Sequence, residues 1–194
     1  TVGAFVVQGI LGSTTPWSGL ATAVTTIGTA VMSQVLARRM ARRGRRPGLQ
    51  AGYLLAVVGG LVAALGAERG QLALFLAGLF LYGSGQAANF LARYAATDLA
   101  PPDERGRAMS TIVFASTFGA VFGPLVIGPT ERAGQEWFGL AKYTGPWLFS
   151  AAFFALAACN AALRLRPDPL VVAGGLARDA DDADAGPAAP GLAA

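Results

Sequence analysis

The stretch Ala37–Gly48, ARRMARRGRRPG, sets six arginines and no acid between two long apolar runs. Three kinds of chain carry so dense a cationic cluster: a nucleic-acid-binding tail, a targeting peptide, and a membrane protein whose loop is held on one side of the bilayer. They differ in what lies on either side. Here the neighbours are Leu20–Ala37 and Leu49–Ala67. Each is close to the roughly 20 apolar residues that cross a hydrocarbon layer about 30 Å thick. The arginines read as the loop between two membrane spans.

Composition points the same way. Of 194 residues, 54% are hydrophobic and only 13% are charged, where soluble domains carry about 25%. The net charge of +4 comes from bunched arginines, with Lys142 the single lysine, so the basic balance does not imply nucleic acid. There is no histidine, which removes the commonest acid-base group and metal ligand. The single cysteine, Cys159, lies in an apolar run and reads as a small buried hydrophobe. No cofactor, metal or enzymatic chemistry is implied.

Outward from the arginine loop the pattern repeats. Further apolar runs cover Leu72–Tyr94, Ala108–Ile127 and Pro146–Leu163, each bounded by charge, proline or glycine. All five are expected to be helices, because lipid offers backbone groups no outside partner. A shorter run, Val2–Leu11, has no positive region before it. It reads as the tail of a first helix cut short, not as a signal peptide. The expectation is an all-α polytopic transmembrane bundle over residues 1–166, with segments at about 1–12, 20–37, 49–67, 72–94, 108–127 and 146–163. Residues 167–194, with the low-complexity ARDADDADAGPAAPGLAA from Ala177, are expected to be a disordered cytoplasmic linker or tail.

Dividing the 15 basic residues among alternate loops leaves only Arg69, Arg132 and Lys142 on one side. Moving six arginines through a bilayer at roughly 2.5–3.5 kcal/mol each would be prohibitive. The arginine-rich loops and the carboxy-terminal tail are therefore expected in the cytoplasm of a multi-pass cell-membrane protein.

Three strings carry a family resemblance. Arg42, Arg43, Gly44, Arg45 and Arg46 resemble the signature between the second and third helices of the major facilitator superfamily, Gly-x-Leu-x-Asp-Arg-x-Gly-Arg-Arg. Ala37, Arg39 and Ala41 depart from it, the last at the acid. Asp98–Ser110, DLAPPDERGRAMS, is similar to the loop between that family's fourth and fifth helices. Gly119–Pro129, GAVFGPLVIGP, resembles the antiporter signature of its drug-exporting branch. The resemblance implies the six-helix amino-terminal half of such a transporter, working by alternating access beside a missing carboxy-terminal half. It implies that Arg42, Gly44, Arg45, Arg46, Asp98 and Arg105 contribute to a cytoplasmic gate. It also implies efflux of a small-molecule substrate, with protons as a coupling partner. Gly119, Gly123 and Gly128 would give a smooth face for a neighbouring backbone, and Pro124 would bend the helix.

For the substrate cavity, Tyr82, Gln86, Asn89 and Arg93 recur at i, i+4, i+7 and i+11 on one helical face. Polar groups within a membrane usually face the bundle interior or a water-filled cavity. Gln8 is a further candidate from the first segment, while interhelical hydrogen bonding and snorkelling of Arg93 are the competing roles. No acid falls inside any of the runs, so all of Glu68, Asp98, Asp103, Glu104, Glu131 and Glu136 are expected in loops. A non-transporting membrane scaffold or degenerate transporter fragment is the alternative function.

Overall fold

The computed structural model describes residues 2–12, 16–97, 100–101, 103–168, 172 and 174. Six helices follow one another: α1 Val2–Leu11, α2 Leu20–Arg43, α3 Arg45–Glu68, α4 Leu72–Thr97, α5 Arg105–Phe138 and α6 Gly145–Arg164. A 3-10 turn, Pro16–Gly19, leads into α2. No strand is present among the described residues. The five helices after α1 are each long and apolar enough to cross a membrane, which is the expected all-α bundle.

Every span runs past its apolar core. α2 continues through Arg38, Arg39, Arg42 and Arg43, because arginine is a strong helix former whose stem reaches the headgroups while its backbone stays helical. The expected arginine loop is thus two helix ends joined at Gly44 alone. α5 is the longest helix, with 34 residues and both Pro124 and Pro129 inside it. At 1.5 Å per residue it measures about 51 Å, well beyond a core of about 30 Å. Glu131 and Glu136 therefore lie on a helix and Glu68 ends α3, where loops were expected.

Packing rests on α3, α4, α2 and α6, with glycine where backbones meet. A Cβ on Gly83 of α4 would stand 2.5 Å from the Thr29 nitrogen of α2. On the other side of α4, a Cβ on Gly78 would strike the backbone of Ala63 in α3. Close approach of this kind lets helices associate in lipid, where apolar burial alone gives no drive. The fully buried Ser84 hydroxyl donates to the Gly52 carbonyl at 2.9 Å, a polar tie between α4 and α3. Aromatic rings fill the α4–α6 seam: Trp147 sits edge-on to Phe75 and Tyr82, and Tyr82 edge-on to Phe154.

α5 is attached differently. Only Thr130 and Gly134 are buried along it. Phe114, Phe118 and Phe122 form a ladder on its exposed surface, with centroids 5.0 and 5.9 Å apart. Cys159, expected to be buried, is exposed on α6. It lies on a membrane helix, where an apolar residue gains nothing by turning away from lipid. Most of the expected linker, 175–194, lies outside the described residues, but Asp168 is placed and hydrogen-bonded.

Candidate functional site

A cavity of about 440 Å³ opens between α1, α2 and α4. Its polar wall comes from α2, where Thr22, Thr25, Thr26 and Thr29 line the space. Thr25 donates to the Ala21 carbonyl at 2.8 Å, Thr26 to Thr22 and Thr29 to Thr25, both at 2.9 Å. Those protons are spent inside the helix, so what the three threonines present is oxygen lone pairs. Opposite them stand Gln86 and Tyr82 of α4. No charged side chain lines the cavity among the described residues.

Trp147 of α6 is common to this cavity and to a second, largely apolar one of about 650 Å³ between α4, α5 and α6. The Trp147 Nε1 donor is buried with no hydrogen-bond partner among the described residues. The Tyr82 hydroxyl, also on both walls, is already paired with Ser150. The Trp147 indole N–H is therefore enclosed behind the shared wall and not turned into either cavity.

Of the polar stripe on α4, Tyr82 and Gln86 line the α1–α2–α4 cavity, while Asn89 and Arg93 are not among its lining residues; Leu79 and Phe90 take part instead. At about 100° per residue the cavity face is turned about 40° from the polar stripe. Arg93 lies over the Phe90 ring at 5.3 Å, with its Nε buried and unpartnered among the described residues. Gln8 is half-buried on α1 and lines neither cavity. The α2 threonines went unread in the sequence, because hydroxyls bonded back to their own helix look like ordinary polar punctuation in an apolar run.

Gly119 and Gly123 line the apolar cavity. A Cβ on either of them, or on Gly128, would meet nothing within 4 Å. The close neighbour expected against that face is not found among the described residues. The tight α5–α6 contact falls further along: a Cβ on Gly134 would stand 2.9 Å from the Gly145 Cα. Pro124 sits within a helix that continues without interruption.

At the arginine-rich end Gly44 has φ 96° and ψ 167°, and its N–H donates to the Met40 carbonyl at 3.0 Å. The Asp168 carboxylate accepts from the Arg45 N–H at 3.0 Å and the Arg46 N–H at 2.8 Å. Arg42 is exposed in the last turn of α2, where a cation suits the helix dipole. Arg105 is exposed, and its Nε donates locally to the Ala100 carbonyl at 3.3 Å. Asp98 lies outside the described residues. The acid brought to the α2–α3 turn is thus Asp168, which the sequence pattern did not single out.

Two carboxylates organise the opposite end. Glu68 accepts from the Ala141 N–H at 2.8 Å and the Thr144 hydroxyl at 3.1 Å. Glu131 accepts the Tyr143 N–H with both oxygens, at 2.7 and 2.9 Å. Together they hold the α5–α6 connection, in which Tyr143 has φ 69° and its ring stacks on Phe5 at 5.7 Å.

Comparison with known proteins agrees with this architecture. The chain is 36% identical over 173 residues to the MFS-type transporter YdeG of Bacillus subtilis (strain 168), covering 89% of this chain and 40% of that protein. It is 36% identical over 177 residues to YddS of the same organism, also named an MFS-type transporter, covering 91% of this chain and 40% of that protein. The chain therefore spans about two fifths of the length of these relatives. No solved structure gives a significant match. The sequence fits the Major Facilitator Superfamily over residues 2–185. With five membrane-length helices in a glycine-packed bundle, this multi-pass membrane protein belongs to the Major Facilitator Superfamily.

Proposed function

We propose that this bundle is one half of a transporter that carries a small molecule across the cell membrane by alternating access, rocking against a second bundle around a site at mid-membrane depth. The observation that carries the reading is the α1–α2–α4 cavity: a wall of threonine oxygens facing Gln86 and Tyr82 inside a membrane bundle. Polar groups at that depth are costly unless they serve a pathway or one another. The lining is uncharged, which suits a neutral or weakly polar amphipathic molecule. Kinship with proteins named transporters supports the same reading.

Export in exchange for protons is the finer form we favour, supported by the likeness of Gly119–Pro129 to an antiporter signature. No carboxylate lines either cavity among the described residues, so the group that titrates in such a cycle lies elsewhere. The arginine-rich end faces the cytoplasm in this scheme, supported by the bias of basic residues.

The test is accumulation in an efflux-deficient bacterial host expressing the full-length transporter, with a panel of fluorescent amphipathic dyes. Lower accumulation of at least one dye than in control cells is expected, with the difference abolished by a protonophore and altered by Gln86→Ala. Protonophore-insensitive export would remove the proton coupling. An inserted protein that changes the distribution of no dye in either direction would favour a scaffold and overturn the proposal.

A further inference from the structure

The turn between α2 and α3 poses an electrostatic problem that its own sequence does not solve. A helix N-terminus carries partial positive charge and amides with no helical acceptor. At α3 the residues there are Arg45 and Arg46, with no acid in the first turn. Gly44 has no side chain to cap the helix, and Ala41 stands where the related signature has its acid. Two more cations at the positive end of a helix would ordinarily fray it.

The missing charge comes from beyond α6. Asp168, 123 residues from Arg45 and 122 from Arg46, places one carboxylate oxygen on each of two successive backbone N–H groups. Gly44 is fitted to this contact. A Cβ there would lie 2.5 Å from Asp168 Oδ2 and 2.7 Å from its Cγ, on a backbone whose φ of 96° already disfavours a side chain.

We infer that Asp168 is the positioning acid of the arginine-rich end. Its carboxylate fastens the strap leaving α6 to the first turn of α3, and so fixes where Arg45 and Arg46 present their guanidinium groups. The turn and the root of the strap then move as one piece, since Leu49 of α3 and Ala161 of α6 share one buried cluster with Leu165 packed against it. A displacement of the chain following residue 168 is passed directly to the α2–α3 turn. The contact does not depend on the transport reading; only its effect on gating does.

The test uses the full-length protein in lipid nanodiscs, as wild type and as Asp168→Ala, Asp168→Asn and Asp168→Glu. Hydrogen exchange should rise about tenfold at Arg45 and Arg46 in Asp168→Ala, the size expected for a lost helix cap. Asp168→Asn, which keeps one acceptor oxygen and no charge, should fall between, and Asp168→Glu should restore protection. Modification by phenylglyoxal, mapped by mass spectrometry, should quicken several-fold at Arg45 and Arg46 while the exposed Arg42 and Arg43 stay unchanged. General loosening would instead raise exchange along all of α3. Unchanged exchange and unchanged arginine reactivity in Asp168→Ala would overturn the inference. If that variant cannot be produced, the same null result in Asp168→Asn does so. Should the exchange results hold while no variant, wild type included, moves any dye, the transport proposal fails and this one stands.

Discussion

Replacing Gly83 by alanine tests whether the bundle is held by backbone contact. The added methyl would stand 2.5 Å from the Thr29 nitrogen, 2.7 Å from the Thr25 oxygen and 2.8 Å from the Gly28 carbonyl carbon. All three are backbone atoms in the middle of α2, so none can swing aside as a side chain would. Comfortable contact begins near 3.4 Å, so α2 and α4 must part locally by about 1 Å. Overpacking of this kind costs about 1–3 kcal/mol, offset by up to about 1 kcal/mol because alanine is the better helix former. The net expectation is a loss of up to about 2 kcal/mol, and of about 1–3 kcal/mol relative to an alanine placed at an open helical glycine. It would be read from SDS titration of the full-length protein, with Gly106→Ala as control. Gly106 has nothing within 4 Å of its missing Cβ, so there the helix-forming gain should stand alone. Equal changes in stability in Gly83→Ala and Gly106→Ala would refute close backbone packing as the organising contact.

Three other outcomes are expected. Glu131→Ala leaves the Tyr143 N–H without its acceptor on a backbone of positive φ; a loss of about 1–3 kcal/mol and faster hydrogen exchange over residues 139–144 should result. Exchange unchanged there would show that the connection is held by something else. Trp147→Phe removes a buried donor that has no partner among the described residues and shortens a ring packed on Phe75 and Tyr82, so SDS titration should show only the packing loss, below about 2 kcal/mol, while dye selectivity changes. A loss above about 2 kcal/mol would mean that Nε1 is bonded in the intact protein. An alkaline phosphatase reporter joined after Arg46 should be inactive and one joined after Gln71 active, with the reverse pattern overturning the orientation.

The spans were legible because hydropathy and length are properties of neighbouring residues. Leu20, Leu72 and the start of α6 near Pro146 fall where the apolar runs begin. The far ends of α3 and α6 fall within one residue of the run ends, but that of α2 does not, since arginine signals the end of the hydrocarbon layer and not the end of a helix. α5 shows the same gap: its apolar run was expected to end at Ile127, before Gly128 and Pro129, yet the helix passes through Pro129 to Phe138. At the site, Gln86 was visible as an amide in an apolar run. The threonines of α2 were hidden because only the neighbouring helix shows which hydroxyls face a cavity. Asp168 was the least accessible of all, being paired across more than 120 residues with backbone groups that no side-chain pattern records.

Gly44 alone joins two helices of 24 residues each. Such a joint has no spare length. α2 and α3, each about 36 Å long, form a stiff fork whose prongs cannot slide past one another along their axes, and any rotation at the prong tips must be taken up by one pair of dihedral angles. Lengthening the joint by even a single residue would let the prongs move independently. The mechanical stiffness of this corner is therefore set by chain length, before any side chain acts on it.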